Sequence, residues 1–227
     1  MRDPQTIHDD EWRTGWKSLS SALKDEDRFH LVSRIISPLS PQAIFDLVCG
    51  DGYQAEILKM TMSNVVVNGC DISPAAIERA SKRMDSCYHL DIDRADLSED
   101  SESYDIVICI AVLEHLYDVS HALKEINRIL IPGKYILIQV PNVTFWRFRL
   151  EIQLGRLPYV LADERHLHSF NKSFLLERLQ LAGFSNFSIY GQRHRIKWLT
   201  KLSPSLFSEN LFVLAQKNTV DPEETTA

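Results

Sequence analysis

Apolar and polar positions along this chain fall into two alternating textures. Short unbroken apolar runs, ended by acids, glycines or prolines, read as strands buried on both faces; apolar residues three or four apart read as helices. From Asp9 to Ser37 the chain is polar and then helical, with Leu23, Leu31, Val32, Ile35 and Ile36 on one stripe, until Pro38 and Pro41 close it. Ala43 to Leu47 is a strand that passes through a glycine-bearing turn into a helix over Tyr53 to Met60. Further strands follow at Asn64 to Cys70, Ser86 to Leu90, Tyr104 to Ile110 and Lys134 to Val140, with the last two at Phe184 to Tyr190 and Leu211 to Ala215. Between them Ser73-Pro74 caps one helix, Val119 to Leu130 forms another before Ile131-Pro132-Gly133 breaks it, and Asn171 caps a third that runs through Ala182 and stops at Gly183. Strands alternating with helices in this way predict an α/β fold with a doubly wound parallel sheet. Phe145 to Leu154 alternates polar and apolar residues, a period that by itself predicts strand.

Composition narrows the picture. A chain of 227 residues, 44% hydrophobic and 25% charged, builds one domain with a sizeable core. The expected organisation is a helical cap over residues 1–40, a main domain over 41–218 with a lid at about 141–172, and a disordered acidic tail over 219–227. Net charge of −6 disfavours a dedicated nucleic-acid binder, because phosphate neutralisation dominates such affinity. Cys49, Cys70, Cys87 and Cys109 follow no metal-ligand spacing and read as small buried hydrophobes, so no metal is expected. With no signal-type or membrane-length apolar run, the expected location is cytoplasmic.

The chemistry concentrates at the end of the first strand, Asp46-Leu47-Val48-Cys49-Gly50-Asp51-Gly52. Glycines there allow close backbone approach to a ligand, and ligands of open α/β sheets lie beyond the carboxyl ends of the strands. Gly50-Asp51-Gly52-Tyr53-Gln54-Ala55 fits a dinucleotide pattern, yet the Asp51 carboxylate would repel a diphosphate. Asp46 and Asp51 suit a ligand that is cationic and carries no phosphate, such as S-adenosylmethionine. Asp71 lies 19 residues beyond Gly52 (71 − 52), close to the spacing of roughly 20 at which an acid meets ribose hydroxyls.

Asp46, Gly50 and Gly52 resemble the first motif of class I S-adenosylmethionine-dependent methyltransferases, D-x-G-x-G-x-G, with Val48 in place of the first glycine. Tyr104-Asp105-Ile106-Val107-Ile108, Leu113-Glu114-His115-Leu116, Leu130-Ile131-Pro132-Gly133 and Pro141-Asn142 resemble the fourth and fifth strand motifs of the type 11, 12 and 23 members of that group. The resemblance spans Pro41 to Asn142. It implies a Rossmann-like, doubly wound, seven-stranded sheet, mostly parallel with an antiparallel last strand and helices on both faces. It also implies S-adenosyl-L-methionine as cofactor, bound by Asp46, Val48, Gly50 and Gly52, by Asp71 and Ile72 at the ribose, by Asp91 and Ile92 at the adenine, with Asp93 and Asp96 as alternatives for the acid there, and by Ala111. Trp146-Arg147, Arg149-Leu150 and Gly155-Arg156-Leu157-Pro158 resemble the MetW-like methionine biosynthesis proteins, which implies a helical lid at Phe145 to Leu154 and leaves open a degenerate fold acting through a protein partner.

Methyl transfer needs positioning and a base only when the nucleophile must lose a proton. His115, after the fourth strand, and His166 and His168, in the segment over the pocket, are the candidate catalytic residues. Arg147, Arg149, Arg156, Arg165 and Lys172 add positive charge to that segment. The expected acceptor is therefore a small anionic metabolite or sugar conjugate, methylated on O or N, and the lid offers a surface for a protein partner or homodimer. An NAD-binding oxidoreductase is the less favoured alternative. The leading helix is expected to cover the sheet, with Trp12 and Trp16 over the ligand cleft as the alternative, and Arg193 to Lys201 reads as a solvated basic stretch.

Overall fold

The computed structural model describes residues 4–13, 19–192 and 203–219. Trp16, the Leu23 side chain, the basic stretch at 193–201 and the tail beyond residue 219 lie outside the described residues. The first segment is split into α1 (Pro4–Arg13) and α2 (Leu19–Ile36), which a short 3-10 turn at Ser37–Leu39 closes around Pro38. Then come β1 (Ala43–Leu47), α3 (Tyr53–Thr61), β2 (Val66–Asp71), α4 (Pro74–Ala80), β3 (Ser86–His89), β4 (Tyr104–Ile110) and α5 (Val119–Ile129). The chain finishes with β5 (Leu130–Pro141), α6 (Trp146–Gln153), α7 (Tyr159–Ala162), α8 (Lys172–Leu181), β6 (Phe184–Gly191), α9 (Pro204–Phe207) and β7 (Asn210–Lys217).

The seven strands form one sheet in the order β3-β2-β1-β4-β5-β7-β6. Strands β1 to β5 pair in parallel, and β7 runs antiparallel to both β5 and β6. Both faces of the parallel part are covered, which is why its strands are continuous apolar runs. One face packs Phe45, Leu47, Val107 and Ile138 against α5 and α8; the other packs Ile44, Val67 and Ile106 against Val32 and Ile36 of α2 and Leu58 of α3.

Local signals were realised as hydrogen bonds. Ser73 Oγ accepts from the Ala76 amide at 3.2 Å with Pro74 in the first turn of α4, and Asn171 Oδ1 accepts from the Phe174 amide at 2.9 Å at the start of α8. One expectation changed. Ile131-Pro132-Gly133 does not separate helix from strand: β5 already begins at Leu130 and carries these residues as a bulge. The register jumps from Tyr104↔Leu130 to Ile106↔Tyr135, with Gly133 at φ +78°. The stretch after Phe145 is helix, as the resemblance implies and against its alternating period: it buries Phe145 and Phe148, three residues apart, against Val160.

Candidate functional site

Register brings the sequence motifs to one edge. Leu47 pairs with both Cys70 and Cys109, Asp71 with His89, and Ile110 with Gln139. The turns after β1, β2, β3 and β4 therefore leave the sheet at one level, beside the point where strand order reverses between β1 and β4.

The turn after β1 is held by the protein itself. The Cys49 amide donates to Cys70 O at 2.9 Å, the Gly50 amide to Asp71 Oδ2 at 2.9 Å, and the Gly52 amide to Cys49 O at 3.1 Å. It requires left-handed backbone at Val48 (φ +64°), Gly50 (φ +57°) and Gly52 (φ +77°). Glycine suits the last two; a β-branched residue at the first is strained. Asp71 also accepts from the Ser73 amide at 2.8 Å, so it joins the β1 turn to the start of α4. Asp51, whose charge argues against a diphosphate, is ion-paired with Arg83 at 2.7 Å, which weakens that exclusion. Trp12 is 8% exposed, and its ring reaches to 3.0 Å of where a Cβ on Gly50 would stand. The leading helix thus packs over the ligand turn through Trp12.

Asp46 is only 4% exposed, and burial, with the adjacent Asp71 charge, pushes its carboxyl up to about 7. Two neighbouring acids beside glycine backbone fit a ligand that brings a cationic amine and ribose hydroxyls, as S-adenosylmethionine does. On the far side of the crevice Asp91 meets Arg94 at 3.2 Å, and Ile92 packs into the core. Ala111, at φ +56°, turns the chain away from β4.

A cavity of about 570 Å³ adjoins this edge. Ala111, Glu114 and His115 line it from the β4 turn, Gln139 and Pro141 from β5, and Tyr159, Asp163, Arg165 and His166 from the lid; Arg28 of α2, Gln192, Glu209 and Asn210 complete it. The lid is tied to the β4 turn, since the Leu167 and His168 amides both donate to Glu114 O, at 2.7 and 3.1 Å. His115 Nδ1 lies 3.1 Å from Arg165 O and His166 Nδ1 lies 2.8 Å from Val160 O. A carbonyl only accepts, so each Nδ1 carries hydrogen, and His166 Nε2 lies 3.9 Å from Asp163 Oδ2. The two rings stand 5.0 Å apart. Arg165 binds Asp163 and, at 2.7 Å, Glu11 of α1; its guanidinium holds the Asp163 carboxyl well below the usual range. Burial raises Glu114 to about 8.

Of the candidate catalytic residues, His115 and His166 meet at the cavity, while His168 lies outside the lining and packs near Phe170. Of the basic lid residues, Arg165 faces the cavity, whereas Arg147 pairs with Glu151 on the exposed side of α6 and Arg149 donates to Thr144 O. Arg28, Gln139 and Glu209 were not anticipated. Gln139 had a signal, a polar residue inside an apolar strand; Arg28 sits in a charged run and had none.

A methyltransferase-domain family model matches residues 25–189, well over half of the chain. The chain belongs to this family of S-adenosylmethionine-dependent class I methyltransferases. It is 30% identical to 27-O-demethylrifamycin SV methyltransferase of Amycolatopsis mediterranei, over 68% of this chain and 62% of that one. It is 28% identical to a probable S-adenosylmethionine-dependent methyltransferase of Mycolicibacterium smegmatis, over 62% of this chain and 51% of that one. The chain thus spans about half to three fifths of the length of these curated relatives. In fold it resembles a S-adenosylmethionine-dependent methyltransferase of Archaeoglobus fulgidus, with a TM-score of 0.64, 17% identity and coverage of 88% of this chain and all of that one. Among the described residues no helix is long and apolar enough to cross a membrane.

Proposed function

We propose that this chain is a methyltransferase that transfers a methyl group from S-adenosyl-L-methionine to an oxygen or nitrogen of a small anionic acceptor. The observation that carries this reading is the polar cavity beside the motif-bearing turns, with Arg28 and Arg165 in its wall. Bound at the turns after β1 to β3, the cofactor supplies an electrophilic sulfonium methyl. Asp46 pairs with its ammonium, Gly50 and Gly52 let the backbone approach, Asp71 and Ile72 take the ribose, and Asp91 and Ile92 face the adenine. Arg28 orients the acceptor's anionic group, while His115 and His166 offer Nε2 as hydrogen-bond acceptors to its O–H or N–H. The lid, about 141–172, selects the acceptor, since long loops on a rigid sheet are where such specificity resides.

A second reading, a methyltransferase fold acting through a partner, draws on the strained Val48 and on exposed apolar lid residues including Trp146, Leu150, Leu154 and Leu157. A screen of small carboxylate- and phosphate-bearing alcohols, phenols and amines with methyl-labelled cofactor, alongside calorimetry with S-adenosylhomocysteine and NAD, tests the proposal. Label transfer to an anionic acceptor that Arg28→Met slows at least tenfold is the expected result. Binding of NAD with no response to S-adenosylhomocysteine would overturn it.

A further inference from the structure

We infer that Glu114, His115 and His166 form a site for one divalent transition-metal ion, which holds the acceptor through oxygen. The ion's role rests on the methyltransferase reading above; its binding does not.

One donor atom from each of the three residues lies within 4.8 Å of the others. Donors on an ion at about 2.1 Å stand roughly 3.0 to 3.5 Å apart, so side-chain movement of at most about 1.3 to 1.8 Å closes the site. Glu114 is 2% exposed, and its Oε2 is buried with no hydrogen-bond partner among the described residues. A buried carboxylate oxygen left unpaired is costly, and a cation resolves it. Both imidazoles are oriented as metal ligands commonly are, with Nδ1 on a backbone carbonyl, Arg165 O for His115 and Val160 O for His166. Gln139 Oε1, in the wall of the same cavity and likewise unpartnered, suits a water or hydroxyl on the ion. Of the arginines in the wall, Arg165 is offset by Asp163 and Glu11.

Two imidazoles and one carboxylate with open positions suit zinc, manganese, iron, cobalt or nickel rather than magnesium or calcium. An acceptor hydroxyl on the ion loses its proton to solvent water; the oxygen then forms the O–CH3 bond as the S–CH3 bond breaks and its electron pair returns to sulfur. In this arrangement the ion lowers the acceptor's pKa, and the imidazoles hold the ion instead of contacting the acceptor directly.

The full chain, stripped with a chelator, is titrated with Co(II) by visible absorption and with Zn(II) and Mg(II) by calorimetry. S-adenosylhomocysteine binding is measured on every sample. Expected are one Co(II) per chain, displaced by Zn(II) and not by Mg(II), and at least tenfold weaker binding in both Glu114→Gln and His166→Ala. The exposed His89→Ala should bind as the parent does. If Glu114→Gln does not fold, His166→Ala decides alone. Absence of stoichiometric Co(II) binding, or affinity unchanged in the folded variants, overturns the inference. Parent protein that binds S-adenosylhomocysteine but no ion sinks only the metal site; parent protein that binds the ion but no S-adenosylhomocysteine sinks the methyltransferase reading and leaves the site.

Discussion

Val48→Gly separates strain carried by folding from strain carried by binding. Val48 sits at φ +64° in a turn fixed by amides donating to Cys70 O, Asp71 Oδ2 and Cys49 O, so its left-handed backbone belongs to the protein's own hydrogen bonds. Glycine removes a backbone cost of about 1 to 3 kcal/mol. Against that stand about 0.5 to 1 kcal/mol of extra unfolded-chain entropy and about 1 kcal/mol for the half-buried isopropyl group that packs on the core. The balance runs from a loss of about 1 to a gain of about 1.5 kcal/mol. Val107→Gly, in the fully buried centre of β4, should cost on the order of 3 kcal/mol or more. Urea unfolding of both variants measures this contrast, and calorimetry with S-adenosylhomocysteine should show less than a threefold change for Val48→Gly. A stability loss above about 2 kcal/mol would refute the strain at Val48. Tenfold tighter binding, about 1.4 kcal/mol, with stability unchanged would mean that the cofactor, not the fold, bears the cost.

Asp46 has a folded pKa of about 7 against an ordinary 3.8, so its contribution to stability is full below 3.8 and is lost as pH rises through 7. Asp46→Asn should therefore gain on the parent by about 2 to 3 kcal/mol between pH 5 and pH 8 in urea melts, while losing cofactor affinity; a pH-independent difference would show that burial does not perturb this acid. Asp71→Asn replaces an oxygen that accepts from Gly50 or Ser73 with a donor, and should lower stability by about 1 to 3 kcal/mol together with S-adenosylhomocysteine affinity. Loss of binding at unchanged stability would assign Asp71 to the ribose alone. Arg165→Met breaks contacts to Asp163 and Glu11 that are partly exposed, so it should cost only about 1 kcal/mol in stability. It should nonetheless speed proteolytic cleavage within 155–168 several-fold, and an unchanged cleavage rate would show that these pairs do not hold the lid.

The parallel half of the fold was legible because its signals are local. Tyr104–Ile110 is a mostly apolar run buried through Ile106 to Cys109, and Ser73-Pro74 and Asn171 carry their caps in adjacent residues. Pro132-Gly133 also signalled a real irregularity, but sequence cannot tell a bulge inside a strand from a break before one, since both need the same backbone. The alternation in Phe145 to Leu154 misled because only Phe145 and Phe148 of the segment are buried, so its period reflects solvent more than packing. That His115 and His166 face one pocket was legible from the segment arching over it; that Glu114 joins them was not, since that segment's path over the β4 turn is set by two amides on Glu114 O. Gln139 was visible and its meaning was not, because a polar residue in an apolar strand announces a partner without naming it.

The β1 turn and the segment over the cavity share one support. In α1, Asp9 accepts from Ser73 Oγ at 2.9 Å and from the Ala75 amide at 3.0 Å, Trp12 lies on Gly50, and Glu11 binds Arg165 at 2.7 Å. Arg165 in turn supplies the carbonyl that orients His115. A single helix of ten residues therefore touches the start of α4, the β1 turn and the lid. Its own residues are mostly polar, so these few contacts, rather than a buried face, position it. On the proposed function, these contacts join the turn that takes the cofactor to the segment over the acceptor cavity through Asp9, Glu11 and Trp12.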